Sequence, residues 1–155
     1  MNFEIPVKIK ADSPEFIPQY KTSGAAAADI LANIPANEQG NRTVILLPNK
    51  ITAIDSGFSL DIPEGWEIQI RTRSGWALKG LQVTNSPGTI DCDYTGRIKI
   101  ILNNTSENII TINHGDRIAQ LLIMPSWKIK WVTTDNIDKV TARASGGFGS
   151  TGLGE

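Results

Sequence analysis

Asp91, Asp93 and Tyr94 follow in quick succession on the Pro87-Gly88 turn, inside the stretch Asn85-Ser86-Pro87-Gly88-Thr89-Ile90-Asp91-Cys92-Asp93-Tyr94-Thr95-Gly96-Arg97. Two carboxylates this close must be solvated, share a proton or meet a cation, and a carboxylate beside a bound nucleophile is the usual form of a general base. In an extended segment Asp91 and Asp93 share one face while Ile90, Cys92 and Tyr94 share the other, so one side is charged and the other can pack. A solvated acidic hairpin is the competing reading, because Asp and Gly gather in turns for local reasons.

Other residues could handle phosphate. Arg71 and Arg73 fall on one face of a strand directly before Ser74-Gly75, where a short helix is expected to begin. Guanidinium groups together with the unpaired N–H groups of a helix start suit a phosphate chain, although an ordinary capped strand end fits the same residues. The glycine-rich tail lacks the Gly-Lys-Ser/Thr ending of a phosphate loop, and a free linker is the default for its composition. Against that default stand Arg143 and Phe148, since a spacer needs neither a cation nor a flat ring. Phe148 could stack on a base, while successive glycine amides, Gly149 among them, and the hydroxyls of Ser150 and Thr151 could reach oxyanions. A lid that orders over a nucleotide, and is disordered without it, is therefore expected. Asp29, after a run of alanines, either follows small-residue packing or orients water around a hard cation. Gln120 shares a strand face with Ile118 and Leu122 and so needs a hydrogen-bond partner, which the backbone could supply.

The elements that must carry these groups are mostly strands. Trp66, Ile68 and Ile70 alternate with Glu67, Gln69 and Arg71, and Ile98, Ile100 and Leu102 alternate with Arg97 and Lys99. Val44–Leu47, Phe58–Ile62, Ile109–Ile112, Ile118–Met124 and Ile129–Val132 read the same way. Turns are expected at Pro48-Asn49, Asp55-Ser56-Gly57, Pro63-Glu64-Gly65, Asn103-Asn104 and His114-Gly115-Asp116. One helix of a turn or two is expected over Ser74–Lys79, capped by Ser74 and stopped by Gly80. The pattern gives an all-β, jelly-roll-like β-barrel with one short helix and a flexible glycine-rich C-terminal tail. Residues 1–142 form the β-barrel domain and residues 143–155 the tail.

Composition narrows the chemistry. At 155 residues the chain suits one folded domain, and its net charge of -1 supplies no basic field that would recruit nucleic acid. The only cysteine, Cys92, permits no internal disulfide and no cysteine cluster for zinc, and is read as packing. The only histidine, His114, reads as a turn residue and leaves little room for histidine-based triads or transition-metal sites. The start Met1-Asn2-Phe3-Glu4-Ile5-Pro6 lacks a secretory pattern, and no stretch could span a bilayer, which points to a reducing, cytoplasmic compartment.

Taken in order, these stretches resemble the motifs of the trimeric dUTP pyrophosphatases, the dUTPases, over nearly the whole chain. Ala25–Leu31 is similar to the first motif, Arg73-Ser74-Gly75-Trp76-Ala77 to the second, Gly88–Gly96 to the third, Gly115–Leu121 to the fourth, and Arg143–Gly152 to the fifth. The resemblance implies a homotrimer of jelly rolls with active sites between subunits. Its reaction is the Mg2+-dependent hydrolysis of dUTP to dUMP and pyrophosphate, which keeps uracil out of DNA and supplies dUMP for thymidylate synthesis. It implies no stable nucleic-acid partner and no membrane. By motif, Asp91 would be the general base and Tyr94 would lie against the deoxyribose, while Asn85, Thr89, Ile90 and the backbone of Lys99 would read uracil. Arg73, Ser74, Gly75 and Gln120 would take the phosphates, Asp29 a water of the metal shell, and Phe148 the uracil face. Arg143 and the hydroxyls beyond it would close over the γ-phosphate. The sequence departs from the family at Ala27-Ala28, where Gly-Tyr is common, and at Thr72, where proline is common. It also carries Trp76 for a usual leucine, Thr95 for a frequent arginine and Ala144 for a common glycine. A dCTP deaminase of the same fold and a nucleotide-binding regulatory module remain as rivals; Gly75 after Arg73-Ser74 and the retained Asp91 speak for hydrolysis.

Overall fold

The computed structural model describes residues 4–137, 140, 141 and 146. Strands are β1 (Lys8–Ala11), β2 (Ala28–Leu31), β3 (Thr43–Leu46), β4 (Ile51–Asp61), β5 (Trp66–Arg71), β6 (Leu81–Val83), β7 (Gly88–Ile90), β8 (Arg97–Asn104), β9 (Ile110–Asn113) and β10 (Arg117–Pro125). Among the described residues the one α-helix, α1, covers Ser74–Ala77, and Pro14–Phe16 form a single 3-10 turn. The first sheet has the order β1-β4-β8-β6, the second β2-β10-β5-β7, and β3 pairs only with β9. All named pairings are antiparallel. The jelly-roll-like all-β expectation therefore holds, with one correction: among the described residues no sheet closes on itself, so the strands form open sheets rather than a barrel.

The alternating residues do what their period dictates. Ile98, Ile100 and Leu102 of β8, and Ile68 and Ile70 of β5, are buried in one core cluster. That cluster also takes Ile30, Leu46, Phe58, Ile112 and Ile118, so all three sheets close on the same apolar interior. Cys92 packs against its edge as expected. No helix among the described residues is long and apolar enough to cross a membrane.

Four local expectations are corrected. Asp55-Ser56-Gly57 is not a turn but a bulge within β4, whose pairing with β8 shifts register between Asp55 and Ser59. The buried Ser56 hydroxyl donates to the Ile98 carbonyl at 2.8 Å, which satisfies it across that irregularity. Asn103-Asn104 does not turn either; β8 runs through it, and the buried Asn104 amide donates to the carbonyls of Leu46 at 3.0 Å and Asn108 at 2.7 Å. Ile129–Val132 forms no strand, because alternation supplies a face but not the neighbouring edge that would pair its backbone. Finally, Arg73 rather than Ser74 occupies the N-cap of α1, with no side-chain cap bond, and the helix ends at Ala77.

Candidate active site

At Val83 the chain leaves β6 on the edge of the first sheet and crosses to the second, where β7 pairs with β5 as Ile70↔Gly88, Gln69↔Thr89 and Ile68↔Ile90. It then returns to the first sheet at Arg97. The mouth between the outgoing and returning arms is an open pocket of about 690 Å³ lined in part by Asn85, Thr89, Ile90, Asp91, Tyr94 and Lys99. The structure thus brings together the candidate base, Tyr94 expected at the sugar, and Asn85, Thr89, Ile90 and Lys99 expected at the uracil edge. Asp91 is exposed at the pocket's edge, free to meet a water. The extended geometry expected for this stretch is corrected: the Tyr94 N–H donates to the Asp91 carbonyl at 3.1 Å, closing a turn, and Asp93 does not line the pocket. Tyr94 is held at its tip, where its hydroxyl donates to the Arg97 carbonyl at 2.9 Å.

The phosphate candidates gather elsewhere. β10 lies between β2 and β5, and its register sets Gln120 opposite Asp29 on one side and Arg71 on the other. Arg73 Nε meets Asp29 Oδ1 at 2.8 Å, and Arg117 Nη1 donates to Asp29 Oδ2 at 3.2 Å. Arg71 instead turns to Gln69, to whose Oε1 it donates at 2.8 Å, so the two arginines do not act as one face. The Gln120 amide donates to the Thr72 carbonyl at 3.1 Å, the backbone partner that its half-buried position requires. Arg73, Gly75, Trp76, Lys79, Asp116 and Arg117 line a separate, shallow hollow of about 340 Å³. Ser74 and Gly75 open α1, so their N–H groups lack an intrahelical acceptor. The two pockets have no lining residue in common. Arg143, Phe148, Gly149, Ser150 and Thr151 lie outside the described residues.

Two of the departures from the family pattern have visible consequences. The Thr72 hydroxyl accepts the Val83 N–H at 2.8 Å, tying β6 to the end of β5. Trp76 donates its indole N–H to the Arg117 carbonyl at 2.8 Å and carries Lys79 over its ring at 5.2 Å from the centroid. Sequence reasoning passed over Lys79, Arg117 and Arg97. The Gly115-Asp116 turn could have flagged Arg117, whereas Arg97 meets partners 42 and 85 residues away, which no local pattern announces.

The donor set also bears on a metal. No group of three or more His, Cys, Asp or Glu side chains that could hold an ion exists among the described residues. Both oxygens of Asp29 already face guanidinium groups. A hard ion bound here would therefore be held mostly by ligand oxygens and water rather than by a protein cage.

The chain thus combines a jelly-roll-like β fold with an acid-edged pocket and a separate hollow lined by Arg73, Lys79 and Arg117. The dUTPase family model matches residues 15–152, and the chain belongs to the dUTPase family. It is 44% identical over 144 residues to the deoxyuridine 5'-triphosphate nucleotidohydrolase of Chlamydia muridarum, covering 92% of this chain and 95% of that one. It is also 44% identical over 138 residues to that of Desulfotalea psychrophila, covering 88% and 87%. Among solved structures, a mutant dUTPase of Staphylococcus bacteriophage 80alpha with dUpNHpp superposes with a TM-score of 0.80 at 25% identity, covering 96% of this chain and 99% of that one. The enzyme hydrolyses dUTP to dUMP and pyrophosphate, and members of its family generally use Mg2+.

Proposed function

We propose that Asp91 is the general base of this hydrolysis, and that the 690 Å³ pocket beside it receives the deoxyuridine. The grouping of Asn85, Thr89, Ile90, Tyr94 and Lys99 around Asp91 carries this reading. A water held by the carboxylate loses a proton to it and attacks the α-phosphorus. The bond from that phosphorus to the oxygen bridging to the β-phosphate breaks, and pyrophosphate leaves with the electron pair. Asn85, Thr89, Ile90 and the Lys99 backbone read the uracil edge, and Tyr94 closes the space that a ribose 2′-hydroxyl would need. Arg73, Ser74, Gly75 and Gln120 take the phosphates, with guanidinium and amide donors set against the charge that develops on the leaving group. Mg2+, when bound, supplies further neutralisation of the triphosphate oxygens, and Asp29 meets its water shell.

The two surfaces share no lining residue, which supports a homotrimer whose sites take the base pocket from one subunit and the phosphate hollow from another. The exposed Trp127, Ile129, Trp131 and Val132 support an assembled form that would cover them. In this reading residues 1–142 are the hydrolase domain, and Arg143, Phe148, Gly149, Ser150 and Thr151 belong to a lid, 143–155, that closes over uracil and γ-phosphate. A cytoplasmic site of action accords with the free thiol of Cys92.

The deciding experiment is Asp91→Asn. Pyrophosphate release should fall about 10²- to 10⁴-fold while dUTP affinity stays near wild type. Undiminished turnover would remove Asp91 from the role of base.

A further inference from the structure

Arg97 stands where the turn bearing Asp91 and Tyr94 re-enters the first sheet, and its guanidinium is held by two carboxylates at once. Nη1 donates to Asp12 Oδ1 and Nη2 to Asp12 Oδ2, both at 2.6 Å. Nε donates to Asp55 Oδ2 at 3.1 Å, and Nη2 also reaches Asp55 Oδ1 at 2.9 Å. Each carboxylate is fixed in turn: Asn33 Nδ2 donates to Asp12 at 2.9 Å, and the Gly57 N–H donates to Asp55 at 2.6 Å. One side chain therefore locks the start of β8 to the residue after β1, to the link after β2 and to the bulge of β4. Paired, charge-assisted bonds of this kind fix orientation as well as separation.

The sheet does not need this arrangement in order to hold together, because β4 and β8 are already laddered through Ala53↔Ile101 and Ile54↔Ile100. What the arrangement adds lies next to the pocket, which Arg97 itself lines. The Arg97 carbonyl accepts the Tyr94 hydroxyl at 2.9 Å. The Tyr94 ring rests on Gly96 so closely that a Cβ there would come within 2.7 Å of the hydroxyl oxygen. Asp55, one arm of the lock, is also the ladder partner of Lys99. The aromatic wall of the sugar pocket thus hangs from the carbonyl of a residue whose side chain is held by two carboxylates.

We propose that the Asp12–Arg97–Asp55 cluster is a clamp that sets the stiffness of the Tyr94 wall, and that Arg97 is a positioning residue for discrimination between deoxyribose and ribose. This rests on the reading of Tyr94 as the group beside the sugar. Rejection by steric clash is only as strong as the wall is rigid, since a wall that yields accommodates the larger competitor.

The test compares kcat and KM for dUTP and UTP in the full chain and in four variants, Arg97→Met, Arg97→Lys, Tyr94→Phe and Tyr94→Ala, with thermal melting of each. Arg97→Met should lower the dUTP-to-UTP ratio of kcat/KM by about tenfold, mainly through better use of UTP. Arg97→Lys should fall between it and wild type, because an ammonium cannot pair with both carboxylates in the same fork. Tyr94→Phe keeps the ring but loses its tether, and should shift the ratio in the same direction. A ratio left at wild type in Arg97→Met, while Tyr94→Ala relaxes it, overturns the clamp; so does an equal fall for both substrates. A ratio unchanged in Tyr94→Ala overturns the reading beneath it. Should Arg97→Met fail to fold, Asp12→Ala removes one arm only, and an unchanged ratio in that variant is equally fatal.

Discussion

At Gly96 the missing side chain is itself a contact surface, for the Tyr94 ring occupies the volume that a Cβ would take, with its Cζ at 2.8 Å from that position. The tyrosine ring is stiff and its hydroxyl is tied to Arg97, so Gly96→Ala must push the ring into the pocket or break the tether. The expected result is a fall of about tenfold in kcat/KM for dUTP with the melting temperature nearly unchanged, because the site is at the surface. A variant with normal turnover would show that the ring has room to move. Asp12 offers a pH test at the same scale. Its carboxyl is held below the ordinary 3.8 first by hydrogen bonds from Arg97, with the charge of Arg97 and a bond from Asn33 acting in the same sense, while partial desolvation opposes them. A carboxyl that binds its proton more weakly folded than unfolded adds stability that is complete above its unfolded value and is lost as pH falls through the folded one. The melting advantage of wild type over Asp12→Asn should therefore be full at neutral pH, begin to decline as pH nears the ordinary 3.8, and vanish only below the lowered value of the folded state. An equal advantage at both ends would mean that the bonds, not the charge, are responsible.

The bulge of β4 shows at the level of the element why strand periodicity could be read and local geometry could not. Asp, Ser and Gly in succession carry the chemistry of a turn, yet here Asp55 anchors Arg97, Ser56 caps the Ile98 carbonyl inside the core, and Gly57 adopts φ 82°. The first two depend on partners in β8 and the third on room beside Phe16, so composition alone cannot distinguish a bend from a break. The same holds for Asn104, whose turn-like identity serves a buried network across the β3 and β8 strands. Conversely, Ile129–Val132 has the alternation of a strand without an edge to join. Where packing on one's own face sufficed, as in β5, β8 and β10, the sequence could be read directly. Gly57 is the sharpest test of the bulge: its φ lies in the left-handed region, and a Cβ would stand 2.5 Å from Phe16 Cγ. Gly57→Ala should cost about 1–3 kcal/mol by denaturant unfolding, through backbone strain and overpacking together. A loss below that range would mean that Phe16 and the bulge relax around the new methyl.

Across the whole molecule the candidate residues fall in two places, and this division is what a linear motif search cannot see. Gly88–Gly96 and Arg73–Ala77 are separated by ten residues of chain, yet they end in pockets with no shared lining: one between β7 and β8, the other beside α1 and the start of β10. Candidate residues could be picked from local motifs, but not their grouping, since it depends on where β6 and β7 part company between sheets. If each active site joins the base pocket of one subunit to the phosphate hollow of its neighbour, two dead variants should rescue each other. Asp91→Asn subunits supply an intact hollow, and Arg73→Ala subunits supply an intact pocket. After joint unfolding and refolding at equal amounts, a site is whole only when the pocket comes from the second kind and the hollow from the first. Random assembly into a closed ring then restores about one quarter of wild-type pyrophosphate release. Mixing without refolding should restore little, since subunits must exchange. Activity that stays at the level of the separate variants after refolding would place Asp91 and Arg73 in the same subunit's site, and the divided arrangement would have to be given up.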